Sequence, residues 1–133
     1  MTDEEHRIAI VDERSVIRSV LLARKVAASI GFDGNVVAMI ATSVSELARN
    51  IVKYATRGEL VMRQVQRRDR PGIEIEARDN GPGIEDIEQA MTDSMSTGGT
   101  LGLGLPGVRR MMDEFEINST PGGGTQVVVR KWR

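Results

Sequence analysis

The chain has 133 residues, 40% of them hydrophobic and 28% charged, with 18 Lys and Arg set against 19 Asp and Glu for a formal net charge of -1. That length and apolar fraction suit one domain, 1–133, around a single core. Balanced charge argues against nucleic-acid and membrane-surface partners, 3% aromatics leave no stacking platform for single strands, and the lack of cysteine excludes disulfides and thiolate metal sites.

Residues 1–6 are acidic and polar, unlike a secretion signal, and no apolar run is long enough to span a bilayer, so a cytoplasmic location is expected. Arg7 to Val11 alternates as a short strand. Asp12 is placed to cap a first helix, with Ile17, Val20, Leu21, Ala27 and Ile30 as its apolar stripe and Gly31 as its stop. Asp33-Gly34-Asn35 opens a second, long helix whose ridge is Ile40, Val44, Leu47 and Ile51. Glu46 and Asn50 lie one turn apart beside that ridge. Taken alone they read as a polar flank, with Glu46 paired to Arg49 or Lys53. Taken with the glycine motifs downstream, they read as two groups facing a cleft.

Leu60 to Arg68 forms a strand with Val61 and Val65 on one side, and Arg67 to Gly72 makes a charged, solvated hairpin turn. In the returning strand, Ile73, Ile75 and Ala77 alternate with Glu74, Glu76 and Arg78. Asp79 is in phase with the apolar set, so its carboxylate faces the core side, where it needs a hydrogen-bonding partner. Gly81 and Gly83 follow at once and let backbone approach a ligand closely.

Ile84 to Met91 reads as a short helix, and Thr92 to Gly99 as a mobile polar lid. The cluster Gly98-Gly99-Thr100-Leu101-Gly102-Leu103-Gly104 leads into a helix that starts at Leu105-Pro106 and turns Val108, Met111 and Met112 to the core. Amides from Leu101 to Leu105 at its positive end make a phosphate site. Glu114 to Ser119 and Thr125 to Lys131 are strands joined by a turn at Pro121-Gly122-Gly123-Gly124, and Thr125 points inward like Asp79. The order predicts an α/β fold, a two-layer sandwich with helices on one face of a mixed, mainly antiparallel sheet.

Glu46 with Asn50, the Asp79 turn, the Gly98–Gly104 loop and the Gly122–Thr125 turn, in that order and spacing, resemble the GHKL (Bergerat-fold) ATPases from about Asn35 to Val129. The resemblance implies an ATP-binding fold and the cofactors ATP and Mg²⁺. It makes Asn50 the metal ligand, Glu46 the general base, and Asp79 the acceptor for the adenine amino group. Gly81 and Gly83 then shape the adenine wall, and Thr125 supports Asp79 directly or through water. Gly102 and Gly104 match the phosphate-binding glycines, within a loop whose Gly98, Gly99, Thr100, Leu101 and Leu103 also border the nucleotide.

Within the superfamily, the run from Leu103 to Ile117 is similar to the serine/threonine kinases of bacterial partner switching, the stressosome switch kinases above all. That implies STAS-domain scaffold and antagonist proteins as substrates, and a phosphatase that the released kinase activates. A sibling reading is an anti-sigma kinase that binds a sigma factor directly; another is a non-catalytic, ATP-dependent binding module. A histidine-kinase catalytic domain lacks its dimerising helices here, and an ATP-gated clamp lacks the further domains that transmit closure. The sequence departs from the pattern in having no lysine in the lid or glycine loop, which leaves Arg109 and Arg110 as the nearest cations.

Overall fold

The computed structural model describes residues 5–83, 91 and 104–133. Strand β1 (Glu5–Ile10) leads into helix α1 (Glu13–Ile30), and helix α2 (Gly34–Asn50) continues into a π-helical turn (Ile51–Ala55). Strands β2 (Gly58–Arg67) and β3 (Arg70–Asp79) follow, then helix α3 (Gly104–Met111) and strands β4 (Glu114–Thr120) and β5 (Gly124–Trp132). One sheet holds the five strands in the order β1-β2-β3-β5-β4. Each pairing is antiparallel, so the parallel pair that a mixed sheet allows for does not occur among the described strands. The reason is in the connections: two helices in series return the chain beside β1, and the β4–β5 hairpin lays β5 against β3.

Local signals set these elements. Asp12 accepts from the Ser15 amide at 2.8 Å in a reciprocal capping box, and Gly31 closes α1 in the left-handed region at φ 105°. Asp33 caps α2 through the Val36 amide at 3.0 Å. The β2–β3 turn is tighter than the charged stretch predicts. Only Arg68 and Asp69 leave the ladder, both with positive φ (50° and 65°), the pattern of a two-residue turn matched to strand twist. Arg67, Arg70, Pro71 and Gly72 therefore belong to the strands.

The core lies between the sheet and the helices. Ile40, Val44, Leu47 and Ile51 are buried in the predicted ridge and meet Leu60, Met62, Ile73, Ile75, Val127 and Val129 from the strands. In α1 the predicted stripe is rotated. Ala27 and Ile30 are buried as expected, but Ile17 and Leu21 stay 54% and 62% exposed, and Val16, Ala23 and Val26 take the inner face with Ser15 and Ser19. Small side chains on that face let α2 approach, which the larger Ile17 and Leu21 would prevent.

The opposite face of the sheet is ionic. Arg63 pairs with Glu74 at 2.8 Å, Arg130 with Glu74, Glu114 and Glu116, and Arg67 with Glu114 at 2.6 Å, while Trp132 donates its indole N–H to Glu114. Val61 lies on this face opposite Glu76, and both are buried. Chiefly through Arg67, and then through Trp132 and Arg130, the Glu114 carboxyl is pushed down from 4.5 to about 2. A depressed carboxyl stabilises the folded state above its unfolded value and loses that effect as it protonates. Stability is therefore expected to fall between about pH 4.5 and pH 2, and the Glu114→Gln variant to show a shallower fall in urea midpoint over that window. Identical slopes for the two proteins would exclude Glu114 as a source of acid sensitivity.

Candidate functional site

A cavity of about 340 Å³ opens where the end of α2, the π-helical turn, the end of β3, the start of β5 and the first turn of α3 converge. Its walls are mainly aliphatic, from Leu47, Ile51, Ala55, Ala77, Leu105 and Val127, with Pro82, Pro106 and Tyr54 at its border. Asn50, Asp79 and Thr125 supply polar side chains, and Gly83 and Gly104 line it as well. An apolar pocket of this size with a few convergent polar groups suits a small organic ligand.

Asp79 ends β3 in register with Thr125 of β5, so both side chains lie on the helix-facing side. One carboxylate oxygen, Oδ1, accepts the Gly81 amide at 2.9 Å, which folds the turn back on the acid. No hydrogen bond to the other oxygen occurs among the described residues, which leaves it available to a donor in the cavity. A methyl group added at Gly81 would come within 2.6 Å of the Ala55 Cβ, so only glycine lets the turn lie against the π-helical segment. The Thr125 hydroxyl pairs with the Ser119 hydroxyl at 2.9 Å across β4 and β5 instead of bonding Asp79 directly. The tip of that hairpin is tied to the site by the Gly122 amide, which donates to the Pro82 carbonyl at 2.7 Å.

Glu46 is not paired with Arg49 or Lys53. Its Oε1 accepts the backbone amide of Gly104 at 3.1 Å, at the N-terminus of α3. A carboxylate thus occupies the position where unsatisfied helix amides attract an anion. One turn further along α2, Asn50 reaches the cavity, and its carboxamide makes no hydrogen bond among the described residues. No cluster of three or more His, Asp or Glu suited to a metal occurs among the described residues. This donor set fits Mg²⁺, which takes one or two protein oxygens and fills its remaining positions with water and phosphate oxygens.

Sequence reasoning missed the π-helical turn. The ridge continues in phase to Ile51, but Ile51–Ala55 then widens to π geometry, which brings both Tyr54 and Ala55 to the cavity wall. The turn ends on Thr56 at φ 74°, a positive value rare for a β-branched residue and typical of strain held at a site. Lys53 lies over the Tyr54 ring at 5.1 Å, a cation three residues after Asn50. Arg109 and Arg110 are exposed at the far, C-terminal end of α3. The Ile84–Met91 helix except Met91, the Thr92–Gly99 lid, and Gly98, Gly99, Thr100, Leu101, Gly102 and Leu103 of the phosphate loop lie outside the described residues. Met91 sits in a turn, half-buried against the core.

Residues 11–131 match the family described as the histidine kinase-like ATPase domain. The chain is 45% identical over 130 residues to the serine/threonine-protein kinase RsbT of Bacillus subtilis (strain 168), covering 98% of each. It is 35% identical over 100 residues to the anti-sigma F factor of Caldanaerobacter subterraneus subsp. tengcongensis, covering 72% of this chain and 70% of that protein. Among solved structures, the RsbU and RsbW domains of Rv1364c from Mycobacterium tuberculosis superpose over the whole of this chain with a TM-score of 0.66 at 19% identity. This chain spans 33% of that longer protein, and the likeness is one of fold.

Proposed function

Because the chain belongs to the histidine kinase-like ATPase family, we propose that its cavity takes the adenosine of ATP and that the protein is an ATP-dependent serine/threonine kinase of a bacterial partner-switching pathway. The observation that carries this reading is the Asp79 carboxylate, fixed at one oxygen by the Gly81 amide and set in an aliphatic cavity of nucleoside size. A purine amino group supplies the donor that such an acid needs, and the flanking aliphatic side chains sandwich the base. The α3 N-terminus, beginning at Gly104, faces the phosphates. Asn50 would hold Mg²⁺, which neutralises charge on the transferring phosphoryl group.

Glu46 takes the proton from the attacking serine or threonine hydroxyl as its oxygen bonds to the γ-phosphorus and the bond to ADP breaks. Its contact with the Gly104 amide keeps it at the α3 N-terminus, the end proposed to meet the phosphates. The substrates are STAS-domain scaffold and antagonist proteins, and the released kinase binds and activates a phosphatase. The likeness to the serine/threonine-protein kinase RsbT over nearly the full chain supports the kinase activity. The 35% likeness to an anti-sigma F factor supports a second reading, direct capture of a sigma factor. Incubation with radiolabelled ATP and a STAS-domain protein tests the first. Nucleotide-dependent binding of a sigma factor, without transfer to a STAS protein, would favour the second.

Replacing Asp79 by asparagine is expected to weaken ADP binding roughly ten- to hundredfold. The change removes a hydrogen bond to a charged acceptor, worth about 1.5–3 kcal/mol, and sets an amide N–H against the purine amine. Calorimetric titration reads it directly, and unchanged affinity would remove Asp79 from the adenine site.

A further inference from the structure

Helix α1 carries a second surface that owes nothing to the nucleotide cavity. Ile17 and Leu21, one turn apart, are 54% and 62% exposed, although the same helix buries a complete apolar face in the core. Beside them a groove of about 260 Å³ runs between α1 and α2, lined by Ile17, Val20, Leu21, Arg24, Ala41 and Arg49 among others. Arg24 and Arg49 line it, and further cations lie along the exposed side of α1. Arg14, Arg18, Arg24 and Lys25 are exposed and make no ion pair among the described residues; the Asp12 carboxyl is drawn down chiefly by its hydrogen bonds with Ser15 and only then by Arg14 and Arg18 through space. Arg49 has only a 3.5 Å contact with Glu13, both side chains more than half exposed.

Within its span α1 holds these four cations against one acid, in a chain whose net charge is -1. Arg14 and Arg18 stand at i, i+4, a like-charge spacing that works against the helix and is offset only in part, by the capping Asp12. Two uncovered aliphatic side chains in a groove between helices, with an excess of cations on the same helix, match the groove-docking mode of helix recognition.

We propose that the α1–α2 groove docks an amphipathic helix of a protein partner, with an apolar ridge that seats on Ile17 and Leu21 and flanking Asp and Glu that meet Arg14, Arg18, Arg24 and Lys25. A second copy of this chain is a poor occupant, because face-to-face pairing would set these cations against one another. A membrane is also disfavoured, since Val16, Ala23, Val26 and Ile30 are committed to the core and two side chains alone would insert. The groove uses Ala41, Thr42, Ser45 and Arg49 of α2, whereas the cavity uses Leu47, Asn50 and Ile51, so docking and nucleotide binding fall on different faces of one helix. The proposal rests on the surface alone and stands whether or not the cavity binds ATP.

The test is NMR titration of the ¹⁵N-labelled full chain with a stapled helical peptide bearing leucines at i, i+4 and i+7 flanked by glutamates. Saturable shifts are expected on α1 and on 41–49 of α2, with a Kd that weakens at least tenfold between 50 and 300 mM NaCl. Leu21→Glu, and Arg18→Glu with Arg24→Glu, are expected to lose at least tenfold in peptide affinity while ADP affinity stays within twofold, which shows that the variants fold. Absence of saturable binding, equal binding of the same peptide with lysine in place of glutamate, or loss of both affinities together would overturn the proposal. So would displacement of the peptide by anionic lipid vesicles, or a dimer in sedimentation that Leu21→Glu abolishes, since each assigns the face to another occupant.

Discussion

Glu46→Ala is expected to lower phosphotransfer to a STAS-domain substrate by about 10²–10⁴-fold, the usual contribution of a positioned general base. ADP binding is expected to hold or to tighten in the same variant. The two outcomes have one structural source. Glu46 sits one helical turn before Asn50, and its Oε1 accepts the Gly104 amide at 3.1 Å. That amide opens α3, where the proposal puts a phosphate, so the carboxylate that is proposed as the base also occupies a donor the phosphate would use. Removing it leaves the amide to the nucleotide while leaving the substrate hydroxyl without a proton acceptor. Glu46→Gln separates the roles further, since it keeps the shape and discards the charge. Radiolabel transfer from ATP measures the first effect and calorimetry with ADP the second. Transfer at the wild-type rate would remove Glu46 from the chemistry, and a large loss of ADP affinity would make it a structural prop.

Gly124→Ala is expected to lower the melting temperature by about 10 °C or more. Gly124 begins β5 at φ 89°, and a methyl group there would lie 2.1 Å from the Asp79 carbonyl oxygen and 3.0 Å from the Asn80 Cα. Left-handed backbone costs an L-residue roughly 1–2 kcal/mol, and relieving the overlap costs roughly 1–3 kcal/mol more. For a domain of this size each kcal/mol corresponds to a few degrees. Because the obstructing atoms belong to Asp79 and Asn80, any relaxation also displaces the acid proposed to hold the base. Gly122→Ala is the control, with a similar φ of 78° but nothing within 4 Å of the added methyl. It is expected to cost only the backbone share and to keep the thermal shift on adding ADP. Equal melting temperatures for the two variants would show that contact with the Asp79 corner does not matter.

The positions of Asp79 and Asn50 at the cavity were readable from the chain because their signals are local. Period-2 alternation fixes the direction of Asp79, helical spacing sets Asn50 beside the buried ridge, and glycines follow where backbone must approach closely. Asymmetry among apolar residues was not readable. Helix α1 has two aliphatic stripes, and hydropathy favours the larger Ile17 and Leu21, whereas packing distance selects the smaller Ser19, Ala23 and Ala27 for the face toward α2. The π-helical turn was hidden for a related reason. Ile51 keeps the α-helical phase of the ridge, and the widening appears only where Gly81 and Ala55 crowd together. Charged side chains gave the least information about burial. Glu76 alternates as a solvent-facing residue and is nevertheless buried, because Arg63, Arg78 and Gln126 close over it.

Strand order has a consequence for how the molecule breathes. The acid-bearing strand β3 is the middle member of the sheet, laced on both sides, while the outermost positions fall to β1 and β4. Fraying begins where backbone amides have one neighbour and travels inward only at growing cost. The carboxylate end of the cleft is therefore insulated from the commonest openings, so a partner that pries at a rim strand perturbs the Asp79 wall last.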